Sequence, residues 1–261
     1  MVQRSFFLFF ILISMILVQS PCRVSAEELQ PDGPFLISKV DALLNREHVY
    51  TKNKLTVISS SGRERTLVYE SWGREYNSKT LLRYIAPARI KGQAILMLDN
   101  ADDIWMYFAR TGRVRKLASH SRRQSMEGSD FSYEDIGGGK SFISDFSSLL
   151  EGEELLDSRA CYRVRLERKQ GSRSAYEVLL IRIRKDDFYP VMIEYFRQAD
   201  NRVPDKRLTL SGIVDVQGVP TAKHLIMDDF RDDSRSVIDV EAVDYRADIG
   251  SSSFTVQSLN P

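Results

Sequence analysis

Three histidines, His48, His120 and His224, are the first residues to test for metal or acid–base chemistry. They lie far apart and none belongs to a His-x-x-x-His or His-Glu-x-x-His pair, so their spacing offers no zinc site. No Gly-x-Ser-x-Gly elbow occurs and Cys161 has no motif around it, which leaves acyl transfer without a visible nucleophile. Gly139-Lys140-Ser141 has the ending of a phosphate-binding loop, but the first glycine of such a loop would fall at Glu134. The glycines at 137–139 therefore read as a flexible turn. The acidic pairs Asp102-Asp103, Asp186-Asp187, Asp228-Asp229 and Asp232-Asp233 cannot converge on one atom from a strand, because adjacent residues point to opposite faces. They read as solvated turn or edge residues. The pattern predicts a protein with no catalytic set, no metal and no cofactor, not an enzyme.

Binding chemistry is better represented. Arg110, Arg113, Arg115, Lys116, Arg122 and Arg123 surround the end of the apolar run Ile104-Trp105-Met106-Tyr107-Phe108. Arginines beside aromatic rings can grip an anionic head group while an apolar part lies in a hollow, with a plain solvated basic face as the alternative. Trp105, Met106, Tyr107, Met126, Phe131 and Tyr133 could line that hollow, since methionine repacks easily and Trp or Tyr bring a polar edge. Their alternative role is ordinary core packing. These six are the candidate lipid contacts, and Arg113 and Arg115 the candidate head-group contacts.

The elements that must position these residues follow from periodicity. Arg4 and the apolar run at 6–18, followed by Val24-Ser25-Ala26, have the form of a signal peptide cleaved after Ala26. An apolar stretch of ~13 residues is short of the ~20 that a spanning helix needs. Cys22 follows Gln19, Ser20 and Pro21, not the Leu-x-small pattern of lipid-modified cysteines. The chain carries 37 basic and 36 acidic residues, and a leader that takes Arg4 and Arg23 leaves 35 against 36, a net charge of −1. That balance argues against nucleic acid as the main partner. Residues 27–261 are expected to form one domain.

Within it, apolar spacing at 35–45 suggests one amphipathic helix. From Leu55 onward the period becomes two: Tyr162, Val164 and Leu166 alternate with Arg163, Arg165 and Glu167. Similar runs at 64–73, 78–86, 90–98, 103–109, 113–118, 190–197, 207–215, 222–229 and 236–245, separated by turn residues, predict roughly ten strands in a long antiparallel meander. Such a meander can curl into a closed or partial barrel. Alternation fails over about 119–153, which reads as a long functional loop with a short helix around 143–150. Cys161 reads as a small core residue.

One stretch carries a family likeness: Ile104-Trp105-Met106-Tyr107, Arg113-Val114-Arg115-Lys116, then Met126-Glu127-Gly128-Ser129-Asp130-Phe131-Ser132-Tyr133-Glu134-Asp135. It resembles the bacterial outer-membrane lipoprotein-sorting family, the LolA-like group with the longer chain. Tyr189-Pro190, Gly218-Val219-Pro220, and Phe254 with Leu259 fit the same pattern. The resemblance implies a mainly β fold, an incomplete antiparallel β-barrel with helices covering its concave face. It further implies a periplasmic, non-catalytic carrier of lipids or lipoprotein acyl chains, bound for the outer membrane or for an inner-membrane transporter of the resistance-nodulation-division type. A sensor or adaptor module, binding a lipid or peptide and docking a partner protein, is the alternative.

Overall fold

Alternating apolar and charged residues set most of the chain into strands, and the computed structural model, which describes residues 31–138, 141–172 and 174–260, shows how they pair. The leader expected over 1–26, with Gly139 and Lys140, lies outside the described residues. Helix α1, Gly33–Leu44, comes first. Six strands follow: β1 His48–Ile58, β2 Glu64–Arg74, β3 Lys79–Ala86, β4 Ala94–Leu98, β5 Asp103–Phe108 and β6 Arg113–Lys116. A second run holds β7 Phe146–Leu156, β8 Arg159–Arg168, β9 Val178–Arg184, β10 Pro190–Phe196 and β11 Lys206–Ser211. The small hairpin β12 Val214–Val216 and β13 Val219–Thr221 precedes β14 His224–Asp229 and β15 Ser234–Asp244.

Thirteen of these strands form one sheet in the order β6-β5-β4-β3-β2-β1-β15-β14-β11-β10-β9-β8-β7. Two meanders meet where β1 pairs antiparallel with β15, Leu55 opposite Ile238. The outermost strands, β6 and β7, do not pair with each other, so the sheet is not closed into a barrel: of the closed and partial forms that the sequence pattern allows, it is the incomplete one, as the resemblance implies. Because β6 and β7 are consecutive in the chain yet occupy opposite edges, the residues between them must cross the sheet from edge to edge. This crossing segment contains 3-10 turns at Ser119–Arg123 and Met126–Gly128 and the short helices α2 Tyr133–Gly137 and α3 Ser141–Ser144.

The crossing segment and α1 cover one face of the sheet. Leu36, Ile37 and Val40 of α1, with Met126 and Phe131 of the crossing segment, pack in one core with sheet residues such as Leu55, Leu82, Ile95, Val164 and Ile181. Removing that apolar surface from water, at about 25 cal/mol per Å², is what fixes the helices to the sheet. Asp32 caps α1 by accepting from Phe35 N at 2.8 Å, and a proline in the first turn suits the helix start. A Cβ on Gly33 would lie 2.6 Å from the Ser148 carbonyl, so glycine is what lets the start of α1 rest on the β7 backbone. The other face carries a smaller core in which Leu81, Leu96 and Tyr107 are covered by Phe254 and Leu259 near the C-terminus.

Two expectations are corrected. The helix placed around 143–150 ends at Ser144, and the irregular stretch ends well before 153, because β7 begins at Phe146. The Leu149-Leu150 pair looks helical in isolation, but pairing with β8, Leu150 opposite Val164, decides its conformation, and the register shift beside Gly152 lets the edge strand bend. The run expected over 207–215 divides after Ser211, where Gly212 turns the chain at φ 62°. Cys161 is buried and free, as expected of a core residue.

Candidate functional site

Residues 126–135, the last part of the stretch that carried the family likeness, form the middle of the crossing segment, and several of them fasten it to the sheet. Glu127 at φ 50° and Gly128 at φ 67° turn the chain through two consecutive left-handed residues. Arg65 on β2 reaches under this turn and donates to the Glu127 carbonyl. A Cβ on Gly128 would stand 2.8 Å from the Arg65 guanidinium, so the glycine admits the arginine. The buried Asp130 carboxylate accepts from Ser234 Oγ and Ser236 Oγ of β15, each at 2.6 Å, while the Asp130 carbonyl accepts from Lys206 Nζ at 2.6 Å. Ser132 and Asp135 form a reciprocal capping box that starts α2. Met126, Phe131 and Tyr133 fill the core between these anchors.

Replacing Asp130 with Ala is expected to cost about 2 kcal/mol, because charge-assisted bonds are lost and the fully buried Ser236 hydroxyl loses its acceptor. Urea unfolding of the two proteins measures it, and equal midpoints would remove Asp130 from the fastening.

Beneath α2 and α3 lies a cavity of about 250 Å³. Its floor and sides include Leu179 of β9, Ile193 of β10 and Leu208 of β11, with Phe142 and Phe146 from the other side. Tyr176 and Tyr195, whose ring centres lie 4.9 Å apart, also line it. The roof is acidic. Glu134 and Asp135 enter the lining from α2, and burial pushes the Glu134 carboxyl up to about 7 against the pull of Arg122. Burial raises Asp135 as well, opposed by Lys206 and by its bonds with Ser132. The phenols of Tyr176 and Tyr195 are also raised, first by burial and then by the Asp135 charge. Away from α2 the lining is mostly apolar. Among the described residues no group of three or more His, Cys, Asp or Glu could hold a metal, and no helix is long and apolar enough to cross a membrane.

A family model whose description reads "Uncharacterized protein" matches residues 76–261. The chain belongs to that family. Its fold is LolA-like. The structure superposes on a DUF1329 family protein from Desulfovibrio piger with a TM-score of 0.78 at 23% identity, covering 86% of this chain and 96% of that one. A protein domain from Vibrio parahaemolyticus, named for outer membrane lipoprotein sorting, gives 0.76 at 16% identity over 86% and 97%. A LolA superfamily protein from Nitrosomonas europaea gives 0.71 at 21% identity over 86% and 97%. No curated protein matches the sequence significantly.

Within this LolA-like sheet the residues singled out from sequence fall into three places. Met106, Met126, Phe131 and Tyr133 come together in the core of the helix-covered face. Trp105 and Tyr107, one residue out of phase with Met106, belong to the core of the other face, with Phe254 and Leu259. Arg113 and Arg115 sit on β6 opposite Phe108 and Met106, hence on the covered side, where they line a separate pocket.

Sequence reasoning missed the cavity floor of Leu179, Ile193 and Leu208, because alternation gives two faces without telling which one is roofed. It also placed Arg122 in a solvated basic face. In the structure this side chain is 7% exposed and pairs with Asp102 at 2.5 Å, Glu134 at 3.3 Å and Asp145 at 3.8 Å. Of the acidic pairs read as solvated turn or edge residues, Asp186, Asp232 and Asp233 are exposed turn residues as expected, while others have ionic partners. Asp102 holds Arg122, Asp187 holds Arg184, Asp228 holds Arg235, and Asp229 is buried beside Lys206.

Proposed function

We propose that the protein is a periplasmic, non-enzymatic carrier that keeps an acyl chain of a lipid or lipoprotein out of water while it moves toward the outer membrane or an export pump. The observation behind this reading is the apolar cavity under a fastened helical cover, on a LolA-like sheet whose solved neighbours include a domain named for lipoprotein sorting. Each methylene moved from water into such a space contributes about 0.8 kcal/mol, enough for a modest chain to bind without any polar contact. A cavity of about 250 Å³ is smaller than the ~300–1,000 Å³ typical of drug-sized ligands, so a whole chain enters only if the cover lifts. Met126, with Met106 beneath the cover, supplies adaptable packing for that movement. In this reading Phe131 and Tyr133 move with the cover, and Trp105 and Tyr107 support the sheet from behind.

The test is to fill the space. Leu208→Trp is expected to lower retention of a fluorescent fatty acid roughly tenfold, equivalent to ~1.4 kcal/mol, while the thermal midpoint changes little. Undiminished binding by a folded variant would refute the cavity as the acyl site. Export rests on the leader, and N-terminal sequencing of protein recovered from the periplasm is expected to begin at Glu27. An N-terminus still at Met1 would refute cleavage.

A further inference from the structure

Most arginines of the sheet have carboxylate partners, among them Arg74, Arg163, Arg165, Arg182, Arg184 and Arg207. One cluster does not. Arg89 from the β3–β4 connection, Arg110 from the β5–β6 turn, and Arg113 and Arg115 of β6 line a pocket of about 310 Å³. None of the four makes an ion pair among the described residues, and no acidic residue lines the pocket. The floor is apolar, with Ile90 and Phe108, and the Arg115 guanidinium lies 6.0 Å from the centre of the Phe108 ring. Glu127, the carboxylate that reaches this wall from the cover, is engaged by Gln93 Nε2 at 2.6 Å.

Four like charges gathered without a counter-charge repel one another, and a chain of nearly zero net charge gains nothing in solubility from concentrating them. A bound anion would relieve that repulsion. Guanidinium forks suit phosphate oxygens, and an apolar floor suits the first carbons beyond them. We infer that this pocket is a second binding site, specific for a phosphate group, separate from the cavity under α2. It stands whether or not the cavity takes an acyl chain.

The experiment titrates the leaderless chain, 27–261, with three probes: dihexanoyl phosphatidic acid, dihexanoyl phosphatidylcholine and inorganic phosphate. The same titrations are run on the variant R89Q/R110Q/R113Q/R115Q, and circular dichroism checks that it folds. All four side chains are exposed, so the fold should tolerate their neutralisation. If the variant nevertheless fails to fold, the double variant R113Q/R115Q takes its place. Phosphatidic acid is expected to bind the wild type in a salt-sensitive way and the quadruple variant at least about tenfold more weakly, the scale of losing charge-assisted bonds. Tighter binding of phosphatidic acid than of inorganic phosphate identifies a lipid head group as the natural source, and equal binding identifies a free phosphate. Either result, lost in the variant, supports the site. Affinity for both phosphate probes that is absent, or unchanged by the substitutions, overturns it. Because inorganic phosphate has no acyl chain, its result is independent of the Leu208→Trp experiment.

Discussion

Arg122→Met is expected to lower the free energy of unfolding by about 3–5 kcal/mol, the usual result of removing one member of a buried ion pair. The cause is what the substitution leaves behind. Arg122 sits in the crossing segment between Asp102 of the β4–β5 turn, Glu134 of α2 and Asp145 just before β7. Without the guanidinium, Glu134 and Asp145, 11% and 18% exposed, face each other with no cation between them. The methionine fills much of the volume, so the loss reports charge and hydrogen bonding more than a cavity. Urea unfolding at about pH 9, above the value of about 7 to which burial raises Glu134, measures it. A change below about 1 kcal/mol would mean that the four side chains are solvated and independent.

Glu134→Gln should change how stability depends on pH. Burial holds the Glu134 carboxyl at about 7 in the folded protein, against an ordinary value of 4.5. The folded state therefore binds this proton more tightly than the unfolded chain does. Its contribution is fully present below about 4.5 and is lost as pH rises through 7, by on the order of 3 kcal/mol. Glutamine does not titrate. Measured against wild type, the variant should gain that amount between about pH 4 and pH 8. Glu194 and Asp187 are held low through their arginine partners and give the opposite slope, but they are common to both proteins and cancel in the difference. Parallel stability curves would place the Glu134 carboxyl in water.

Most strands other than β7 were legible from residue order, many of them because they have one wet and one dry face. Tyr162, Val164 and Leu166 needed no tertiary information to be placed inward. The site was less legible. Met106 and Trp105 are neighbours with similar apolar character, and only the path of residues 117–145 across one face decides that Met106 meets the cover and Trp105 does not. Arg122 and Asp102 are twenty positions apart in stretches without periodicity, so nothing local announces their pairing. Residues 126–135 stood out by family likeness, and the structure supplies the physical reason: Gly128, Asp130, Ser132 and Asp135 each satisfy a backbone or charge requirement that fastens the cover.

The seam between β1 and β15 sets an order of events for the newly made chain. Tyr50 must find Asp244, so the two meanders cannot be stitched together until β15 has been delivered. Until then β1 and β14 each offer a bare row of amide and carbonyl groups to any neighbouring polypeptide. Distant pairing of this kind folds slowly, and a product truncated before Ser234 would keep both rows open permanently. Such fragments should clump with one another, whereas the finished chain has its central join sealed.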